Sequence, residues 1–149
     1  HVPQRYCLKK KGVTIMYLNR LSAEQKNIFL DICIHAAHAN NDFADEEKLY
    51  IRQYCEEMQL SKVRYETDSD LKELIPRLVK ISTRAELKMI TIELLGLLLS
   101  DHCYDDFEKK FMDYFSKETN LTSQEFQQMF DVLNELNKVY EKLNEIVSD

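Results

Sequence analysis

The sequence predicts an all-α fold, a compact helical bundle with an internal pseudo-two-fold repeat. Three observations lead there. Only 2 Gly and 2 Pro occur in 149 residues, and turns and sheet edges depend heavily on those two residues. Leu, Glu and Lys are abundant, and apolar residues recur at three- and four-residue spacing rather than alternating. Two stretches, His38–Lys48 and Leu99–Lys109, also match when one is slid along the other by 61 positions. Each ends an apolar run, makes an acidic turn with one aromatic, and restarts with Asp-x-Glu-Lys. Recurrence at fixed spacing marks one supersecondary unit used twice.

Residues 1–15 differ in character from the rest. They hold Arg5, Lys9, Lys10 and Lys11 and no acid, so they carry +4 of a net charge of −6 and leave −10 on the remainder. Lys11 to Met16 can be back-translated with a ribosome-binding element just before an initiator codon. The expectation is a leader or vector-derived segment over 1–15, with one domain over 16–149.

The first helix is expected from about Ala23 to Ala39. Ser22 caps it, Gln25 completes the reciprocal capping box, and Phe29, Ile32, Cys33, Ala36 and Ala37 form the apolar stripe. The second is expected from about Glu46 to Met58, with Tyr50, Ile51, Tyr54, Cys55 and Met58 inward. A polar segment, Ser61 to Asp70, precedes a short helix from Leu71 to Val79. Pro76 interrupts that pattern and is expected to kink or split it.

Thr83 and Glu86 form the next capping box. The helix they open, about Arg84 to Leu99, is apolar on nearly every side, as a buried central helix must be. Asp105 and Glu108 cap a helix from about Asp106 to Glu118. Thr122 and Glu125 make the clearest box, with Leu121 and Phe126 placed as a hydrophobic staple. The last helix shows a heptad stripe of Phe126, Met129, Leu133, Leu136, Tyr140, Leu143 and Val147. Such a stripe is expected to pack along its own bundle, a short coiled coil being the alternative.

The two acidic turns admit two explanations. Capping accounts for Glu47, Asp105 and Glu108, with Asp45 taking the cap that Ala44 cannot make. Hard cations, in turn, take several oxygen ligands, and Asn40, Asp42, Asp45, Glu47, Asp101, Asp105, Asp106 and Glu108 supply them if the turns face each other. An EF-hand is excluded. Counting from Asn40 or Asp101, position six is Asp45 or Asp106 instead of Gly, and position twelve is Ile51 or Met112 instead of Glu.

At these residues the chain resembles the TerB-like family, whose repeated pattern runs roughly apolar-Ala-Asp-Gly-x-(Ile/Val)-(Ser/Thr)-x-x-Glu. The Asp position holds Asn40 and Asp101, the Gly position Asn41 and His102, the aliphatic position Phe43 and Tyr104, and the Glu position Glu47 and Glu108. Gln59-Leu60-Ser61 and Asn120-Leu121-Thr122 resemble the family's Leu-Gly-Leu-Ser phrase. The resemblance covers about residues 17–149. It implies about seven helices with internal pseudo-symmetry, no catalytic activity, a link to tellurite and chemical-stress resistance, and a divalent cation at the paired turns. The residues it carries over as ligands are Asp101, Glu47 and Glu108, with Asn40 a weakened fourth; Asp105 stands beside them.

Other chemistries find less support. His35 and His38 share a helix face and would meet His102 and Cys103 if the repeat folds on itself, a donor set suited to a zinc-like ion. Adjacent His102 and Cys103 do not make a nucleophile and base, and no phosphate-binding glycine loop, H-E-x-x-H or catalytic triad order occurs. The four cysteines form no C-x-x-C pair, which favours reduced thiols and a cytoplasmic location. An acidic body disfavours nucleic acid, and no apolar run reaches the ~18 residues of a membrane span. The expected partner is therefore a cation, a second protein, or another copy through the C-terminal helix.

Overall fold

The structure is a computed structural model that describes residues 17–38, 45–99 and 105–148. Among these residues the regular structure is all helical, with a 3-10 turn (Leu18–Arg20) and six helices: α1 (Ala23–Ala37), α2 (Asp45–Glu57), α3 (Leu71–Ile81), α4 (Arg84–Leu99), α5 (Asp106–Glu118) and α6 (Ser123–Val147). Residues 1–16 lie outside the described residues, as do residues 39–44, 100–104 and 149.

Capping sets most of the helix starts. Four reciprocal boxes form where the sequence places them. Gln25 N–H donates to Ser22 Oγ at 3.2 Å, Glu86 N–H to Thr83 Oγ1 at 3.1 Å, Glu108 N–H to Asp105 Oδ1 at 2.9 Å, and Glu125 N–H to Thr122 Oγ1 at 3.0 Å. Each returns a bond from the cap N–H to the Gln or Glu side chain. Asp70 caps α3 through Lys72 N–H at 3.0 Å. Asp45, expected as a cap, is already the first residue of α2.

Pro76 does not split α3, which continues to Ile81. The proline and Lys72, whose carbonyl loses its helical donor, are both exposed, so the missing bond falls on the solvent side of the helix. The apolar side of the helix, Leu74, Ile75 and Leu78, stays buried.

α1 and α4 form the centre. α1 packs against α2, α3 and α4, while α4 also receives α5 and α6. α4 is buried nearly all round, as its composition requires, and it encloses one carboxylate: Glu93 is fully buried and accepts from Tyr17 N–H at 3.1 Å. Tyr54 crosses from α2, donates its hydroxyl to the Glu93 carbonyl at 2.9 Å, and meets Phe29 edge-on with ring centroids 5.4 Å apart.

Local geometry recurs at the spacing seen in the sequence. α2 and α5 are offset by 61 positions at both ends. The two non-glycine residues with positive φ among the described residues, Gln59 (57°) and Asn120 (60°), are offset by the same interval. At each, the next N–H bonds back across the helix end, Leu60 to the Cys55 carbonyl at 3.0 Å and Leu121 to the Ser116 carbonyl at 3.1 Å. This is the left-handed helix ending usually given to Gly, in which residue C″ satisfies the carbonyl of C3.

Candidate functional site

Of the residues expected to hold a cation, Asn40, Asp42 and Asp101 lie outside the described residues. Glu47 stands in the first turn of α2, and its side chain is not described. Asp105 and Glu108 come together, bonded to each other's backbone as the capping box of α5. Glu108 is buried, and its Oε1 accepts from Asp105 N–H at 3.1 Å. A carboxylate at this position meets the partial positive charge of the helix N-terminus. Among the described residues no three His, Cys, Asp or Glu side chains are gathered as a metal-binding group.

The two described histidines bond to backbone carbonyls of one segment. His35 Nε2 is 2.7 Å from the Ser69 carbonyl, and His38 Nε2 is 3.3 Å from the Tyr65 carbonyl. Both hold the irregular segment 61–70 against α1. The same segment is tied down by Arg64, which pairs with the largely buried Asp31. The zinc-like set was to be completed by His102 and Cys103, which fall outside the described residues. Cys33 and Cys55 are buried thiols, and burial pushes the Cys55 thiol above its usual pKa. A buried thiol of raised pKa is a poor nucleophile.

A groove of about 800 Å³ separates α5 from α6. Asp106, Lys109, Asp113 and Lys117 line one wall, and Phe126 and Phe130 the other. Its charges alternate in sign along α5, so it lacks the convergent polar groups of a catalytic cleft.

The most distinctive surface belongs to α6. Its first turn is clamped to α4. Glu125 pairs with Arg84 and, at 2.9 Å, with Lys88. The Thr122 N–H, Lys88 and Arg84 together hold its carboxyl at about 2, well below the usual range. Beyond the clamp, Phe126, Met129, Phe130, Leu133 and Leu136 pack on the core. The heptad stripe expected to run along the bundle does so only to this point. Leu143 and Val147, its last apolar members, are 49% and 68% exposed. Five of the seven exposed large hydrophobic residues of the described chain lie on α6: Val132, Val139, Leu143, Ile146 and Val147.

No family model matches this chain, and neither a curated protein nor a solved structure does. The functional argument therefore rests on the chain's own geometry. Two features escaped the sequence reading. Glu93 gave no signal, because a lone acid in an apolar helix reads as its solvent side. The outer apolar face of α6 was signalled: Val132, Leu136, Val139, Leu143 and Ile146 repeat at spacings of four and three, overlapping the heptad stripe from Phe126 to Val147.

Proposed function

We propose that this chain is a non-enzymatic helical interaction module whose working surface is the outer face of α6. The observation that carries it is the concentration of exposed apolar residues on the last sixteen positions of one helix. Single exposed hydrophobic residues are ordinary, but a contiguous stripe marks a binding surface. Helix faces of this kind are read by partners at i, i+3, i+4 and i+7. The clamp of Glu125 to Arg84 and Lys88 supports the same view, since it fixes the helix and presents its far end. Heating of Leu143→Asp and Ile146→Asp at low protein concentration tests the premise. Both should keep the wild-type Tm within about 1 °C, as exposed substitutions away from packing contacts usually do. A fall of several degrees would mean that the face packs on its own chain.

A second reading follows from the recurrence at 61 positions. The shared helix bounds and left-handed endings of Gln59 and Asn120 support a duplicated helix–turn–helix with internal pseudo-two-fold symmetry. On that basis the chain is a TerB-like module that binds a divalent cation at the two turns in a tellurite or chemical-stress response, with Asp101, Glu47 and Glu108 as principal ligands. Calorimetric titration with calcium tests it: binding that Asp101→Ala abolishes is expected, and no heat at millimolar ion would refute it.

A further inference from the structure

The outer face of α6 carries information about its partner. Val132, Leu136, Val139, Leu143 and Ile146 follow one another at intervals of four, three, four and three, the seam of a coiled coil. Four of them are 56%, 49%, 49% and 77% exposed, and Leu136 lies at the border with the core. At 1.5 Å rise per residue the seam is about 21 Å long. In heptad terms Leu136 and Leu143 occupy a positions, and Val132, Val139 and Ile146 occupy d positions. Beside the seam, Glu135 and Lys142 occupy successive g positions, and neither enters an ion pair among the described residues.

We propose that the occupant of this face is a second copy of the chain, paired antiparallel through α6. The inference rests on reading the face as a docking surface and adds to it the partner, the direction and the register. The charges decide the direction. In an antiparallel pair, g positions face g positions. When Leu136 is set against the partner's Val139, Val132 meets the partner's Leu143 and Ile146 meets the partner's Met129. The same register sets Glu135 beside the partner's Lys142, and the two-fold axis repeats that pair.

An in-register parallel pair gives none of this. It sets Glu135 beside the partner's Tyr140 and Lys142 beside the partner's Val147, leaving both charges unmatched. Leu at a with β-branched residues at d is also the reverse of the pattern that favours parallel two-stranded coils. The antiparallel pair is isologous and closes on itself, so it yields a dimer and no filament. Six layers, ending where Ile146 of each chain meets the partner's Met129, place it at the weak end of specific interfaces, below about 1,200 Å² in total.

Sedimentation equilibrium of the full chain over a range of concentrations tests this. A monomer–dimer equilibrium is expected. Leu143→Asp should raise the Kd more than about a hundredfold, because it buries a charge in the seam. Glu135→Lys and Lys142→Glu should each weaken dimerisation on the order of tenfold, by turning two attractive pairs repulsive. An equimolar mixture of those two variants should recover wild-type affinity, since each supplies the charge the other lacks.

A dimer indifferent to the charge reversals, or not restored in the mixture, overturns the antiparallel register. A tetramer overturns the two-stranded pairing. A wild-type monomer at roughly millimolar concentration, with the Tm of Leu143→Asp unchanged, overturns the second copy and leaves the docking surface standing. A markedly lower Tm of Leu143→Asp at a concentration where the wild type is itself monomeric overturns both.

Discussion

Removing the Asp105 cap separates the two explanations of the acidic turns. Asp105 Oδ1 accepts the Glu108 N–H at 2.9 Å, and Glu108 Oε1 accepts the Asp105 N–H at 3.1 Å. If these bonds are what the acids are for, Asp105→Ala costs about 1 kcal/mol, the usual worth of an N-cap. For a chain of this size that lowers Tm by about 2–4 °C. Asp105→Asn keeps an acceptor of the right length and should cost less than half as much. Glu108→Ala removes the reciprocal bond, and the double variant should cost less than the sum because the two residues share one motif. The assay is thermal unfolding followed by circular dichroism, run with and without millimolar calcium. Capping predicts the same ranking and the same spacings in both. Asn replacing a carboxylate ligand would instead cost a hard cation a charged oxygen. An Asn variant as damaged as the Ala variant, or differences that appear only with the ion present, would refute capping and revive the cation.

Two further perturbations probe the packing. Tyr54→Phe keeps the edge-on contact with Phe29 but loses the buried bond to the Glu93 carbonyl, so urea unfolding should show a loss of about 1–1.5 kcal/mol. Burial, reinforced by Glu93, raises the Tyr54 pKa well above its usual value near 10. Its contribution to stability is therefore intact below about pH 10 and lost above it, as the unfolded chain ionises first; the alkaline loss should be shallower in the Phe variant. Glu125 behaves in the opposite sense. Its folded carboxyl is held at about 2 against an ordinary 4.5, so its contribution is present above about pH 4.5 and disappears as the pH falls toward 2. Glu125→Gln should be less stable than wild type at pH 7, converge with it near pH 2, and show a flatter acid limb; parallel limbs would contradict the clamp.

The candidate site was legible in parts, and the parts differ in range. The stripe from Phe126 to Val147 identified the last helix as amphipathic, yet periodicity alone could not say where its bundle stops. Leu133 and Leu143 look alike in sequence, but Leu133 is buried and Leu143 is half exposed. The difference comes from α4, a helix of sixteen residues, against which a helix of twenty-five must overhang. His35 and His38 were equally ambiguous. Their roles depend on the Ser69 and Tyr65 carbonyls, more than twenty residues away.

What the sequence determined by itself was the class of the fold and the starts of its helices. Capping is decided within four residues, so Ser22, Thr83, Asp105 and Thr122 could be read from their neighbours alone. The buried character of α4 followed from composition, since a helix apolar on every side has no face to offer water. Tertiary structure decided what depends on distant partners. It enclosed Glu93 beneath Tyr17, paired Arg64 with Asp31 across thirty-three positions, and let α3 run through Pro76 because that side of the helix meets solvent. It also left the outer face of α6 uncovered. A local pattern shows that a helix has an apolar face, but only the packed chain shows how much of that face its own core can use.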